Sequence, residues 1–152
     1  MTLQEKLAEK RRQQSESIVL EKLTALSGLS VEGFDPSSQL NPPQSLWKLF
    51  SSYERKPDYQ FSEDTFEQAA RPILRNWLES LGPAPVAFNL SIGGHGELPW
   101  LRVSTANTGS LSDLAKALGE LIALDTEGDR AIAVLDDEYG KLIFLEAHVT
   151  RS

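Results

Sequence analysis

Few side chains in this chain are suited to acid–base or ligand chemistry, and the two histidines, His95 and His148, come first. Imidazole is the side chain whose unperturbed pKa lies nearest neutrality. His95 sits in Gly93-Gly94-His95-Gly96-Glu97. Glycines let backbone amides approach a phosphate, and an imidazole beside them could act as a general base. A phosphate loop, however, needs a helix directly after its glycines, and here Glu97-Leu98-Pro99 leads into an extended segment without the required lysine. Positive-φ glycines in a strand connection are the simpler reading. His148 stands two residues after Glu146, so in a strand both fall on one face, as an acid–base pair or two metal ligands would. A third ligand would have to come from elsewhere, such as His95, and two histidines in all argue against a histidine-rich metal site.

Acids offer a second kind of chemistry. Asp125-Thr126-Glu127-Gly128-Asp129 starts like a calcium loop, with acids at its first, third and fifth positions. Arg130 and Asp136 then occupy the sixth and twelfth places, where glycine and glutamate belong, so a helix-to-strand turn is expected instead. Asp136, Asp137 and Glu138 form the tip of an expected hairpin and precede Tyr139 and Gly140. Three adjacent acids with an aromatic anchor would suit a basic groove on a protein partner. Asp and Gly are also what turns prefer.

Other chemistries are poorly represented. The chain has no cysteine, which removes thiol catalysis, disulfides and cysteine-ligated zinc. No Gly-x-Ser-x-Gly elbow occurs, and no motif implies a cofactor or a metal. Trp47, Phe50, Tyr53, Tyr59, Phe61 and Phe66 cluster in sequence; they could line a ligand pocket, but packing between the second and third helices accounts for them more simply.

Charge narrows the partners. The net charge is −7, and residues 81–152 hold ten of the 22 acids but five of the 15 basic side chains. Such a surface repels phosphate backbones and favours encounter with a basic partner. Lys10, Arg11 and Arg12 lie among glutamates and read as a solvated helix face. No apolar run approaches the ~20 residues of a membrane helix, and the polar N-terminus lacks the apolar segment of a signal peptide. A cytoplasmic location without membrane or direct nucleic-acid contact is expected.

The elements that must position these groups follow from periodicity. Leu3 to about Leu26 is rich in helix formers, but Ile18, Val19, Leu23 and Leu26 make a stripe only in its second half. Residues 1–17 should therefore project or fray. Residues 31–45, with three prolines, read as a loop. A short helix is expected over 46–53, then a longer one opened by Ser62, carrying Phe66 to Leu81 on one face and kinked at Pro72, with two abutting helices as the alternative. Strands follow at 86–92 and 100–105, a helix at 110–124 with Ser110 and Asp113 as a capping box, and strands at 131–135 and 141–149. Leu142 and Phe144 oppose Ile143 and Leu145 in the last strand, which predicts an interior position in the sheet.

The pattern predicts a single α+β domain over 1–152: three N-terminal helices, then a β-β-α-β-β unit forming a four-stranded, mainly antiparallel sheet with helices on one face. The expected function is that of an acidic, non-catalytic protein occupying the surface of a basic protein partner, for instance an inhibitor or immunity-type protein neutralising a toxin such as a nuclease. Asp136, Asp137, Glu138 and Tyr139 would form its contact, with Asp125, Glu127 and Asp129 beside them in sequence. The alternatives are a small hydrolase or transferase using His95 or His148 with a carboxylate such as Glu146, and an assembly protein docking through the Leu3–Leu7 end of its first helix.

Overall fold

The computed structural model describes residues 2–24, 28–35, 43–52, 55–95, 98–138 and 140–147. In chain order the elements are α1 (Leu3–Thr24), β1 (Leu29–Phe34), α2 (Pro43–Phe50), β2 (Tyr59–Phe61), α3 (Glu63–Glu79), β3 (Val86–Ile92), β4 (Leu101–Thr105), α4 (Ser110–Leu118), β5 (Leu121–Leu124), β6 (Arg130–Asp137) and β7 (Gly140–Ala147). The strands form one sheet, ordered β1-β4-β3-β5-β6-β7-β2, with every pairing antiparallel. The α+β class is as expected, but among the described residues the sheet has seven strands rather than four.

Alternation along the strands gives the sheet two apolar faces. Val86, Phe88, Leu90, Leu121, Ala123, Ile132, Val134 and Ile143 point to one side. There they meet the stripe of α3 (Phe66, Ala70, Leu74, Trp77, Leu78), with Leu111, Leu114 and Ala115 of α4 and Val19 and Leu23 of α1. Ile122, Leu124, Ala131, Ala133, Leu135 and Phe144 point to the other side and are capped by Leu46 and Phe50 of α2 and by Trp100. Helices therefore cover both faces, not one. Since α2 and α3 lie on opposite sides, Phe50 and Phe66 belong to separate cores and do not pack together.

The three unexpected strands have physical causes. In β1, Leu29 and Val31 alternate as a strand should, but a bulge between Val31 and Gly33 shifts Phe34 out of phase. The expected loop over 31–45 thus begins with strand, and 36–42 lie outside the described residues. The second, β2, is only three residues long, held against β7 from Tyr59↔Ile143 to Phe61↔Lys141. The third, β5, continues the helical spacing of Leu111, Leu114 and Leu118, so it reads as more helix. Gly119, at φ 83, ends α4 instead, and Leu121–Leu124 then pairs on both edges with β3 and β6.

Two expected caps also differ. Ser62 precedes α3, yet its hydroxyl meets the Thr65 hydroxyl at 3.0 Å rather than a backbone amide. At α4 the N-cap is Gly109, and Ser110 is buried inside the helix without a capping bond. The expected features that do appear are telling: only Val19 and Leu23 of α1 are fully buried, α3 runs unbroken through Pro72, and β7 is an interior strand.

Candidate binding cleft

The sheet face that carries α2 also carries a cleft of about 580 Å³, within the ~300–1,000 Å³ typical of ligand sites. Helix α2 and the segment after it contribute Trp47, Lys48, Ser51, Arg55 and Pro57 to its lining. The strand ends contribute Gly93, Gly94, Glu120 and the hairpin residues Leu135, Asp136 and Asp137. Phe50 and Phe144 lie almost fully buried beneath it, their rings 5.7 Å apart. Half-buried Trp47, Leu142 and Pro57 supply the accessible apolar surface.

Hydrogen bonds and an ion pair tie several lining residues into the fold. The Trp47 indole N–H donates to the Ser91 hydroxyl at 2.9 Å, and Ser91 is buried on β3. Arg55 clamps the segment after α2 onto β7, donating to the Leu145 carbonyl at 2.7 Å and pairing with Glu146 at 3.0 Å. Its guanidinium also sits 5.8 Å from the Phe50 ring centroid. Asp58 continues the strap by accepting the Leu145 N–H at 2.7 Å. The charge of Arg55 is therefore committed to the fold.

At the strand ends, the Glu120 carboxylate accepts the Asp136 N–H at 3.0 Å, and the Glu120 carbonyl accepts the Gly93 N–H at 2.9 Å. This close approach needs glycine: a Cβ at position 93 would lie 2.8 Å from the Glu120 Cβ. Glu120 makes no ion pair among the described residues. Asp136 does, with Lys141 at 2.6 Å.

The sequence candidates fall as follows. Asp136, Asp137 and Glu138 are exposed at the β6–β7 tip, two of them lining the cleft, and Tyr139 lies outside the described residues. Asp125, Glu127 and Asp129 occupy the β5–β6 turn, at the opposite end of β6 and roughly 20 Å away along the strand. The Asp125 carboxylate closes that turn by accepting the N–H groups of Asp129 and Arg130 at 2.7 and 3.1 Å. It is a strand-to-strand turn rather than helix-to-strand. Among the described residues no group of three or more His, Cys, Asp or Glu is arranged to hold a metal.

His95 is half-buried in the β3–β4 connection, and its Nδ1 has no hydrogen-bond partner among the described residues. Glu146 is engaged by Arg55, and His148 lies outside the described residues. Sequence reasoning missed Glu120, Arg55 and the role of Gly93. The glycine pair was the one visible signal, and what it permits here is the approach of Glu120 to a strand end. No helix among the described residues is long and apolar enough to cross a membrane.

Comparison with known protein families, with curated proteins and with solved structures finds no match to this chain.

Proposed function

We propose that this protein is a non-catalytic binding protein that engages a basic protein partner through the β6–β7 hairpin tip and the cleft beside it. The supporting observation is their continuity: exposed Asp136 and Asp137 belong both to the acidic tip and to the cleft wall. Long-range attraction would speed encounter, and the apolar cleft would supply contact area that charge alone does not. An inhibitor or immunity-type role against a basic toxin such as a nuclease, in the cytoplasm and without direct contact to nucleic acid, is the concrete form of this proposal.

The decisive experiment captures the partner from native cells, purifies it and follows association against ionic strength. The double variant Asp137→Asn with Glu138→Gln should slow association several-fold and flatten its salt dependence. Identical rates and salt slopes would remove the hairpin from the interface. Asp136 is spared because it also neutralises Lys141.

A second reading has one specific observation behind it. Leu3 and Leu7 are exposed one turn apart on α1, whose first half buries nothing, as a docking segment for assembly would be. Removing residues 1–14 and measuring molar mass tests it: a fall to monomer supports assembly, and an unchanged mass excludes it.

A further inference from the structure

We infer that the cleft is a socket for one basic side chain of the partner, whose aliphatic stem lies on Trp47 and Leu142 and whose charged head reaches Glu120. This rests on the binding function proposed above and names the chemistry it recognises.

Charge at the cleft is the first support. Among the described residues five ionisable groups line it: Lys48, Arg55, Glu120, Asp136 and Asp137. Arg55 is neutralised by Glu146 and Asp136 by Lys141. Glu120 is the acid there that is half-buried, is fixed in place and has no counter-ion among the described residues. Its Oε2 is occupied by the Asp136 N–H, while Oε1 accepts no hydrogen bond among the described residues. A carboxylate held like this is pre-organised to accept a charge-assisted hydrogen bond from a guanidinium or ammonium group.

Shape is the second support. Lysine and arginine bury their stems on apolar surface while keeping their heads polar. Here Trp47, the residue type most favourable to a cation, lines the same cleft as Glu120 and Leu142. The Ser91 hydroxyl holds the indole, so little ordering remains to be done when a side chain enters. Lys48 is exposed on α2 and would oppose such a guest weakly, which provides a handle for testing.

The probes are acetyl-Gly-Arg-Gly-amide and the same peptide with citrulline, which keeps the shape and hydrogen-bonding capacity but lacks the charge. Amide NMR titration of the full chain reads both affinity and place. The arginine peptide should saturate shifts at Gly93, Gly94, Asp136 and Asp137 and bind at least tenfold tighter than the citrulline peptide. Glu120→Gln, which keeps an acceptor for the Asp136 N–H, should reduce that preference below about threefold. Lys48→Glu, on an exposed site that does not threaten folding, should tighten the arginine peptide about threefold. Equal affinity for the two peptides, shifts elsewhere, or no response to Lys48→Glu would overturn the socket. If the socket fails while the hairpin variant still slows partner association, the binding function stands without it. If arginine selectivity holds but the hairpin variant has no effect on the partner, the hairpin function fails.

Discussion

Asp136 and Lys141 face each other across the β6–β7 hairpin, with carboxylate and ammonium 2.6 Å apart. Lys141 is the more enclosed of the two, its side chain 15% exposed against 43% for Asp136. Its ammonium also reaches the Gly119 carbonyl at 3.3 Å and lies 5.6 Å from the Phe66 ring centroid. One cation thus ties the acidic tip to the end of α4 and to the main core. The acid most visible in sequence as a binding residue is partly a structural one.

Replacing Asp136 by Asn leaves Lys141 enclosed with a weaker partner. The expected loss of stability is roughly 1–2 kcal/mol, below the figure for a fully buried pair because Asp136 is partly exposed. Glu138→Gln, on an exposed side chain, should change stability by less than about 0.5 kcal/mol. Urea unfolding of both variants checks the contrast, and equal midpoints would show that the pair contributes nothing.

Gly140 and Gly82 adopt nearly the same backbone conformation, at φ 141 and 145, but differ in surroundings. A Cβ at Gly140 would collide with the Phe61 carbonyl, whereas one at Gly82 meets nothing within 4 Å. Gly82→Ala should therefore cost about 1 kcal/mol, from backbone strain alone. Gly140→Ala should cost about 3 kcal/mol or more, because β2 must move away from β7. Faster amide exchange in β2 for the Gly140 variant alone would locate the damage.

What the sequence conveyed was whatever has a clean period. The stripe of α3 and the double apolarity of Leu142–Leu145 placed those elements correctly, since burial on one face or two writes itself directly into residue order. Elements whose pattern is broken or shared escaped. A bulge scrambled β1, three residues left β2 without a pattern, and the apolar run of β5 stayed in phase with the helix before it. The cleft was only half legible for a related reason. Asp136 and Asp137 advertise themselves as an acidic run, but Glu120 and Arg55 reach the same place only through β5–β6 pairing and through the strap along β7. Such long-range proximity leaves no local trace.

Pro72 offers a stabilising change. It lies at an exposed position inside α3, where a residue with an N–H would complete the backbone ladder. Proline also stiffens the unfolded chain, which offsets part of its cost. Pro72→Ala should raise stability by roughly 1–2 kcal/mol, read as a higher urea midpoint at unchanged m-value. A lower midpoint would mean that α3 is bent at this position to fit the sheet.

Glu67 links α3 to α4 by an ion pair whose pH dependence has a definite sign. Lys116 lies 2.9 Å from its carboxylate and Arg71 3.6 Å. The hydrogen bond and charge of Lys116, then the charge of Arg71, hold Glu67 below the ordinary glutamate range. A carboxyl with a depressed folded pKa stabilises the fold above its unfolded value, roughly 4.3, and loses that contribution as pH falls through the folded value. Lys116→Met should therefore lower the melting temperature slightly at about pH 7, with the difference from the parent shrinking as pH falls and vanishing once Glu67 is protonated. Carbon-detected NMR should show Glu67 titrating at higher pH in the variant. High salt should shrink the neutral-pH difference, because the pair is exposed to solvent. A difference in melting temperature that persisted unchanged at low pH would mean that Lys116 acts through its aliphatic packing and not through Glu67.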